Sequence, residues 1–313
     1  MGKNVLIAVL ISCIAIICSS CNKEPIIVRI EGISFENYPR VDGSTSTKPL
    51  NTIIAAKLFG LKYEWVSGSV FFSADFELPT SFTSKLQVSQ THEAIINLID
   101  NQTDLIIVAR TMSADEKQYA DDAGVSLIET PIALDALDFI VNSQNSVNSL
   151  SVEQIQNIYF GNITNWAEVG GINEEIIPFI RNANSGSQEM MNEIVMNNAG
   201  MPDWTVSYAD ELTLWSMSIV YIEIMANKSG ICFTPHYYKE YMVPGKSDVK
   251  TLAINGIAPN RKSIKNKTYP FVANVYVAIR SDTDTNSMTY KLYEWLQSKS
   301  GKNAIEESGY VPN

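Results

Sequence analysis

The stretch that most constrains the fold is Asp104 to Ala109, DLIIVA. It is almost wholly apolar, too short for a buried helix, and set between two helix-like segments. Thr91 to Ile99 precedes it with apolar residues at helical spacing, and Ser113 opens another helix with Asp115 and Glu116 in its first turn, where the dipole favours them. A strand with no polar face must be covered on both sides, and flanking helices are the usual cover.

The same alternation runs along the chain. Helices are expected over Leu50–Phe59, from Ser151 (with Gln154, a capping-box pair) to Tyr159, over Gln188–Met196, Leu212–Met225 and Asn286–Lys299. Strands are expected over Ser126–Ile132, Leu137–Val141, Ile176–Ile180, Gly230–Thr234 and Phe271–Arg280. This pattern argues an α/β fold with mainly parallel sheets.

The first twenty residues read as a secretory leader: Lys3 gives a positive start, Val5 to Cys18 is a short apolar run, and Ser19-Ser20 lead to Cys21. A cysteine there resembles a bacterial lipobox, which makes Cys21 the expected lipidated N-terminus, although Cys18 stands where that pattern usually has Leu. A tether over 21–36 then leads to the domain. Only Cys232 remains besides, and its apolar neighbours Ile231 and Phe233 mark it as a core residue, not a nucleophile. With His92 and His236 the only histidines, no zinc site or other cofactor is expected.

The formal net charge of −11 becomes −12 once Lys3 leaves with the leader. Such a surface excludes nucleic acid as a partner and repels small anions at long range. An anion site must therefore be local and enclosed.

Two loops have that chemistry. Arg181-Asn182-Ala183-Asn184-Ser185-Gly186-Ser187 puts a guanidinium, two hydroxyls and a glycine ahead of a helix. A helix start has free N–H groups, Gly186 permits close approach, and Arg181 offers a fork for two oxygens of one anion. An ordinary Ser/Gly cap explains the same residues on this segment alone. Asp42-Gly43-Ser44-Thr45-Ser46-Thr47 precedes another helix, with four consecutive hydroxyls where capping needs one. Ser89 to His92 is a weaker instance, better read as capping, and Arg110 sits at the carboxyl end of the apolar strand, where α/β folds bind ligands.

The order DGSTSTKP, DLIIVARTMS, FGNITNWAEVGG, RNANSGSQ and a closing ESGYVP resembles the phosphate-binding protein family of bacterial ABC importers, from about Tyr38 to Val311. The resemblance implies a two-lobed type II periplasmic-binding-protein fold with two hinge crossovers. It places residues 37–131 and 234–313 in one lobe and 132–233 in the other, with Pro131 and Pro235 near the crossing points. It implies ligand contacts from Ser46 and Thr47, from Thr91 at a helix start, and from Arg181, Ser185, Gly186 and Ser187, which match the family's R-x-x-x-S-G-S/T; Ser44 and Thr45 in the run of hydroxyls, and Arg110 at the end of the strand, are expected to join them. It also implies a monomer in the cell envelope, facing the periplasm or exterior, that hands phosphate to a membrane permease.

One departure matters. Where family members often have Ser-Asp or Ser-Arg after the strand, this chain has Ala109-Arg110, so an obvious acceptor for the phosphate proton is missing and Asp42 or Glu93 would have to substitute. Other oxyanions (sulfate, a phosphonate) and a sensor role remain alternatives. A serine hydrolase using Ser185 or Ser187 would need His92 or His236 as base, and no G-x-S-x-G elbow is present. The aromatics Trp166, Trp204, Trp215, Tyr237 and Tyr238 read as packing residues.

Overall fold

Leu105 to Val108 form a strand with every residue buried, and its side chains divide between two cores. Leu105 and Ile107 pack on one face, Ile106 and Val108 on the other, which is why the run has no polar position. The computed structural model describes residues 27–66, 75–199, 213, 214, 216–243, 245 and 247–313. The expected leader, Cys21, Trp204 and Trp215 lie outside the described residues.

The first part comprises β1 (Val41–Gly43), a 3₁₀ turn at Thr45–Thr47, α1 (Lys48–Phe59), an antiparallel pair β2 (Glu64–Val66) and β3 (Asp75–Glu77), and a single-turn α2 (Thr80–Thr83). Then come α3 (Thr91–Ile99), β4 (Leu105–Val108) and α4 (Ala114–Asp122), whose cap Ser113 exchanges bonds with Glu116 in a capping box. Next are β5 (Leu127–Asn142), β6 (Ser149–Leu150), α5 (Val152–Tyr159), β7 (Ile177–Pro178), β8 (Ile180–Arg181) and α6 (Gly186–Met190), which runs on as π-helical turns over Met191–Val195. The remainder is β9 (Thr213–Leu214), α7 (Met217–Ala226), β10 (Gly230–Pro235), β11 (Val249–Thr251), β12 (Ala253–Ile254), α8 (Arg261–Lys265), β13 (Val272–Arg280), α9 (Met288–Gln297), α10 (Lys299–Glu307) and β14 (Val311–Pro312).

Two strands expected at Ser126–Ile132 and Leu137–Val141 are one unbroken strand, β5. Pro131 does not end it, because the register slips opposite Val275 and Tyr276, and such an irregularity accommodates a residue with no N–H. The helix expected over Asn286–Lys299 forms as α9 and stops at Ser298, and a second helix, α10, follows it. Ser298 is extended (φ −73°, ψ 169°), and its hydroxyl accepts the Gly301 N–H to start α10.

β5 joins the two lobes. Leu127 to Ala136 pair antiparallel with β13, and Leu137 to Val141 pair antiparallel with β10. The first-lobe sheet continues through β4 to β1, a parallel pair, and the second continues from β10 to β7, also parallel. The architecture is thus α/β with parallel pairs at the outer positions, while the long strands running between lobes pair antiparallel.

The buried apolar residues form separate clusters. Leu50, Ile53, Ile54, Val275, Val277, Leu296 and Ile305 belong to one that also takes in Phe179, Tyr221 and Cys232, and Leu137, Phe139, Ile155, Tyr159, Trp166 and Phe233 belong to another. Part of the stretch that the resemblance places in the first lobe pairs and packs with elements of the second. β11 pairs with β5 at Ile140–Asn142, β12 pairs with β6, and Leu252, Ile254, Ile264, Tyr269 and Phe271 join the second cluster. Trp166, Tyr237 and Tyr238 are buried packing residues as expected. Among the described residues no helix is long and apolar enough to cross a membrane.

Candidate functional site

The hydroxyl loop between β1 and α1 is pinned from beneath. Asp42 is fully buried; its Oδ1 accepts the N–H groups of Gly43 (2.7 Å) and Ser89 (2.8 Å), and its Oδ2 accepts Asn97 Nδ2 (3.0 Å). It therefore ties two first-lobe loops together and is not the ligand acceptor the sequence left open. A Cβ on Gly43 would lie 2.4 Å from the Ile107 carbonyl oxygen, so only glycine lets the loop press onto β4.

Above this base, Ser44 Oγ accepts the Ala109 N–H at 3.0 Å and lies 2.8 Å from Thr91 Oγ1. The Ser46 carbonyl accepts Tyr310 Oη at 3.0 Å, so the C-terminal ESGYVP segment braces the same loop. Thr47 points the other way. Its Oγ1 reaches the Ile107 carbonyl (2.6 Å) and the Ser44 carbonyl (3.0 Å), and the residue is fully buried. The expected ligand role of Thr47 is therefore corrected: its proton is committed to the backbone.

In the second lobe β8 delivers Arg181, which is 4% exposed. Its N–H donates to Gln188 Oε1 at 2.9 Å, and its Nη1 lies 3.3 Å from Ser187 Oγ. Burial lowers the guanidinium's proton affinity, and Cys232, Tyr238 and Tyr221 offset only part of that fall. Ser185 caps α6, its Oγ accepting the Gln188 N–H at 3.2 Å, and it also faces the cleft. The one residue both caps the helix and lines the cleft.

Between the lobes lies a partly open cavity of about 200 Å³, smaller than the ~300–1,000 Å³ pockets of drug-sized ligands and suited to a small ion. Ser44, Thr45, Ser46 and Thr91 line one side; Arg181, Ser185, Gly186 and Ser187 line the other. These are eight of the ten expected contacts. Gln90, His92 and Glu93 also line the cavity, although Ser89 to His92 reads in the sequence as a helix cap. Gln90 holds a left-handed φ of 71°, which no local residue pattern announces. Ala109, Asn182 and Ala183 are sequence neighbours of expected residues, whereas Met217 and Pro235 come from distant segments with no local signal.

Arg110 is not on the wall. It is 3% exposed, and its Nη1 and Nη2 donate to the two carboxylate oxygens of Glu116 at 2.6 and 2.8 Å. Nη2 also donates to the Asn184 carbonyl of the second lobe at 2.7 Å. Its charge is neutralised by a buried carboxylate, so its expected role as a ligand cation is corrected. Burial pushes Glu116 up, but the Arg110 pair, His92 and the Ser113 N–H together hold its carboxyl below the ordinary value.

Cys232 is fully buried, and burial pushes its thiol up to about 12, as suits a core residue. Ser185 and Ser187 bond to Gln188 and Arg181, while the histidines bond to Glu116 and Asp138; no Ser–His hydrogen bond occurs among the described residues. Nor do those residues hold a cluster of three His, Cys, Asp or Glu placed for a metal ion.

A family model described as the PBP superfamily domain matches residues 66–300, most of the chain. The chain belongs to the PBP superfamily. Among relatives of this superfamily member, Protein SphX of Synechococcus elongatus is 26% identical over 72% of this chain and 67% of its own length. The phosphate-binding protein PstS of Staphylococcus epidermidis is 25% identical over 68% and 65%, and that of Borreliella burgdorferi 24% identical over 58% and 65%. The chain thus spans about two thirds of the length of these curated relatives. Among solved structures, a Clostridium perfringens protein with bound phosphate superposes with a TM-score of 0.62 at 22% identity, covering 87% of this chain and 98% of that one. An ABC-type phosphate transport receptor from Vibrio cholerae gives 0.59 at 22% identity with the same coverage. Both share the two-lobed α/β fold.

Proposed function

We propose that this PBP superfamily protein is an extracytoplasmic solute-binding lipoprotein that captures inorganic phosphate between its lobes and passes it to an ABC permease. One observation carries the reading: Arg181, Ser185 and Ser187 face Ser44, Ser46 and Thr91 across a small, partly open cavity. Such a wall is rich in donors and has a desolvated guanidinium, which suits a compact oxyanion. The relatives named as phosphate-binding proteins support phosphate as that ion. The chain acts by binding and release without chemistry on its ligand.

The hinge in this reading lies where β5 exchanges β13 for β10, beside the end of β10, and closure brings the two loops onto the ion. Residues 249–271 move with the second lobe. Lipid on Cys21 holds a monomer at the membrane surface, outside the cytoplasm.

The test is equilibrium binding of phosphate, sulfate and a phosphonate to the unaltered protein and to Arg181→Ala. The reading expects phosphate to bind best and the substitution to weaken it by roughly 2–5 kcal/mol, as for loss of a buried charge partner. Undiminished phosphate binding by Arg181→Ala would remove the cavity from the account.

A further inference from the structure

His92 lies in the first turn of α3 and lines the cavity. Its Nδ1 is 2.7 Å from Oε1 of Glu116. Glu116 is completely buried and also receives Nη1 and Nη2 of Arg110 and the Ser113 N–H at 2.7 Å. Ringed by donors, that carboxyl is ionised, and an ionised carboxylate only accepts. The imidazole proton is therefore fixed on Nδ1. Nε2 projects from the opposite edge of the ring and carries a lone pair whenever the ring is neutral. Among the described residues the Glu116 bond is the ring's only hydrogen bond.

We propose that His92 Nε2 accepts the hydrogen bond from the protonated oxygen of bound phosphate and so favours phosphate over sulfate. This rests on the reading of the cavity as a phosphate site. Near neutrality phosphate keeps a proton that sulfate lacks. Arg181 and the wall hydroxyls can donate to either ion and so do not separate them. A lone pair aimed at the ligand rewards the proton-bearing oxygen and repels a bare one. Glu93, the carboxylate on the wall, is solvent-exposed, where water and salt weaken its influence.

The assignment also gives Arg110 a purpose in this chain. Arg110 fixes Glu116, Glu116 fixes the tautomer of His92, and His92 supplies the acceptor that position 110 does not. Arg110 and Glu116 are positioning residues; His92 touches the ligand. The charged groups around the ring are Glu116 on α4 with Arg110 behind it, Glu93 on its own helix, Arg181 across the cavity, and Glu189 on α6, which feels Arg110 and Glu116.

The test is competition of sulfate against phosphate for the unaltered protein, His92→Ala and His92→Phe at about pH 8, where phosphate keeps one proton. The phosphate-over-sulfate ratio should fall by about 10-fold or more in both variants, through weaker phosphate binding. An equal ratio in the unaltered protein and either variant overturns the assignment. Phosphate binding with an unchanged ratio removes His92 alone, whereas no phosphate binding by the unaltered protein defeats the phosphate reading and His92 with it.

Discussion

Gly186 and Thr91 meet across the cleft so closely that a Cβ on Gly186 would lie 2.4 Å from the Thr91 hydroxyl oxygen and 3.4 Å from its Cβ. One residue begins α6 of the second lobe and the other begins α3 of the first. The contact exists only when the lobes are together, so it reports closure. Gly186→Ala is predicted to leave the separate lobes intact, since alanine suits a helix better than glycine by ~1 kcal/mol. It should nevertheless weaken ligand binding by ~1–3 kcal/mol through overpacking at the closed interface. Calorimetric affinity alongside thermal unfolding of the ligand-free protein separates the two effects. Unchanged affinity would mean that the closed contact is not needed for binding.

Arg110→Ala is predicted to act mainly on stability. It strips a fully buried carboxylate, Glu116, of its bidentate partner. Breaking such a pair costs about 3–5 kcal/mol, which denaturant unfolding can read. A ligand cation would behave differently, with affinity falling steeply and stability barely moving.

Asp135 sits on β5 at the change of partners, 3% exposed. Its Oδ1 accepts the N–H groups of Ala136 (2.8 Å) and Tyr237 (2.9 Å), but Oδ2 is buried without a partner. Burial pushes this carboxyl up to about 6, with the nearby Asp138 adding to the rise and His236 and the two N–H groups opposing it. The folded state therefore holds this proton more tightly than the unfolded state, whose carboxyl titrates near 3.8. The resulting stability is fully present below pH 3.8 and is lost as pH rises through about 6. The window is worth roughly 3 kcal/mol. Asp135→Asn should lack that part of the pH dependence when unfolding free energy is compared between about pH 3 and about pH 7, conditions that bracket the shift. Identical slopes for the two proteins would contradict it.

Cys21→Ser is predicted to release the protein from membranes into the soluble fraction, as loss of its acyl anchor requires. Continued sedimentation with membranes would sink the lipid anchor.

Local signals were legible wherever a short segment decided its own structure. The Ser113 and Ser151 capping boxes, the Thr91–Ile99 helix and the buried strand at Leu105–Val108 all follow from neighbours a few residues apart. The Arg181–Ser187 loop carried its chemistry in its own residue types. What escaped depends on distant partners. The unbroken path of β5 through Pro131 is fixed by β13, more than a hundred residues later in the chain. The inward turn of Thr47, unlike Ser44 and Ser46, is set by the Ile107 carbonyl. Arg110 could have been read more closely, because the capping box at Ser113 points Glu116 back along the chain, within reach of the arginine. His92 gave no sign of its role until Glu116 fixed one of its nitrogens.

The central claim, one oxyanion held between two lobes, is tested most directly by calorimetric titration of inorganic phosphate into the purified chain without its first twenty residues. The account predicts saturable binding of one phosphate per chain. No heat with phosphate, together with tight binding of sulfate or a phosphonate at the same cavity, would contradict it.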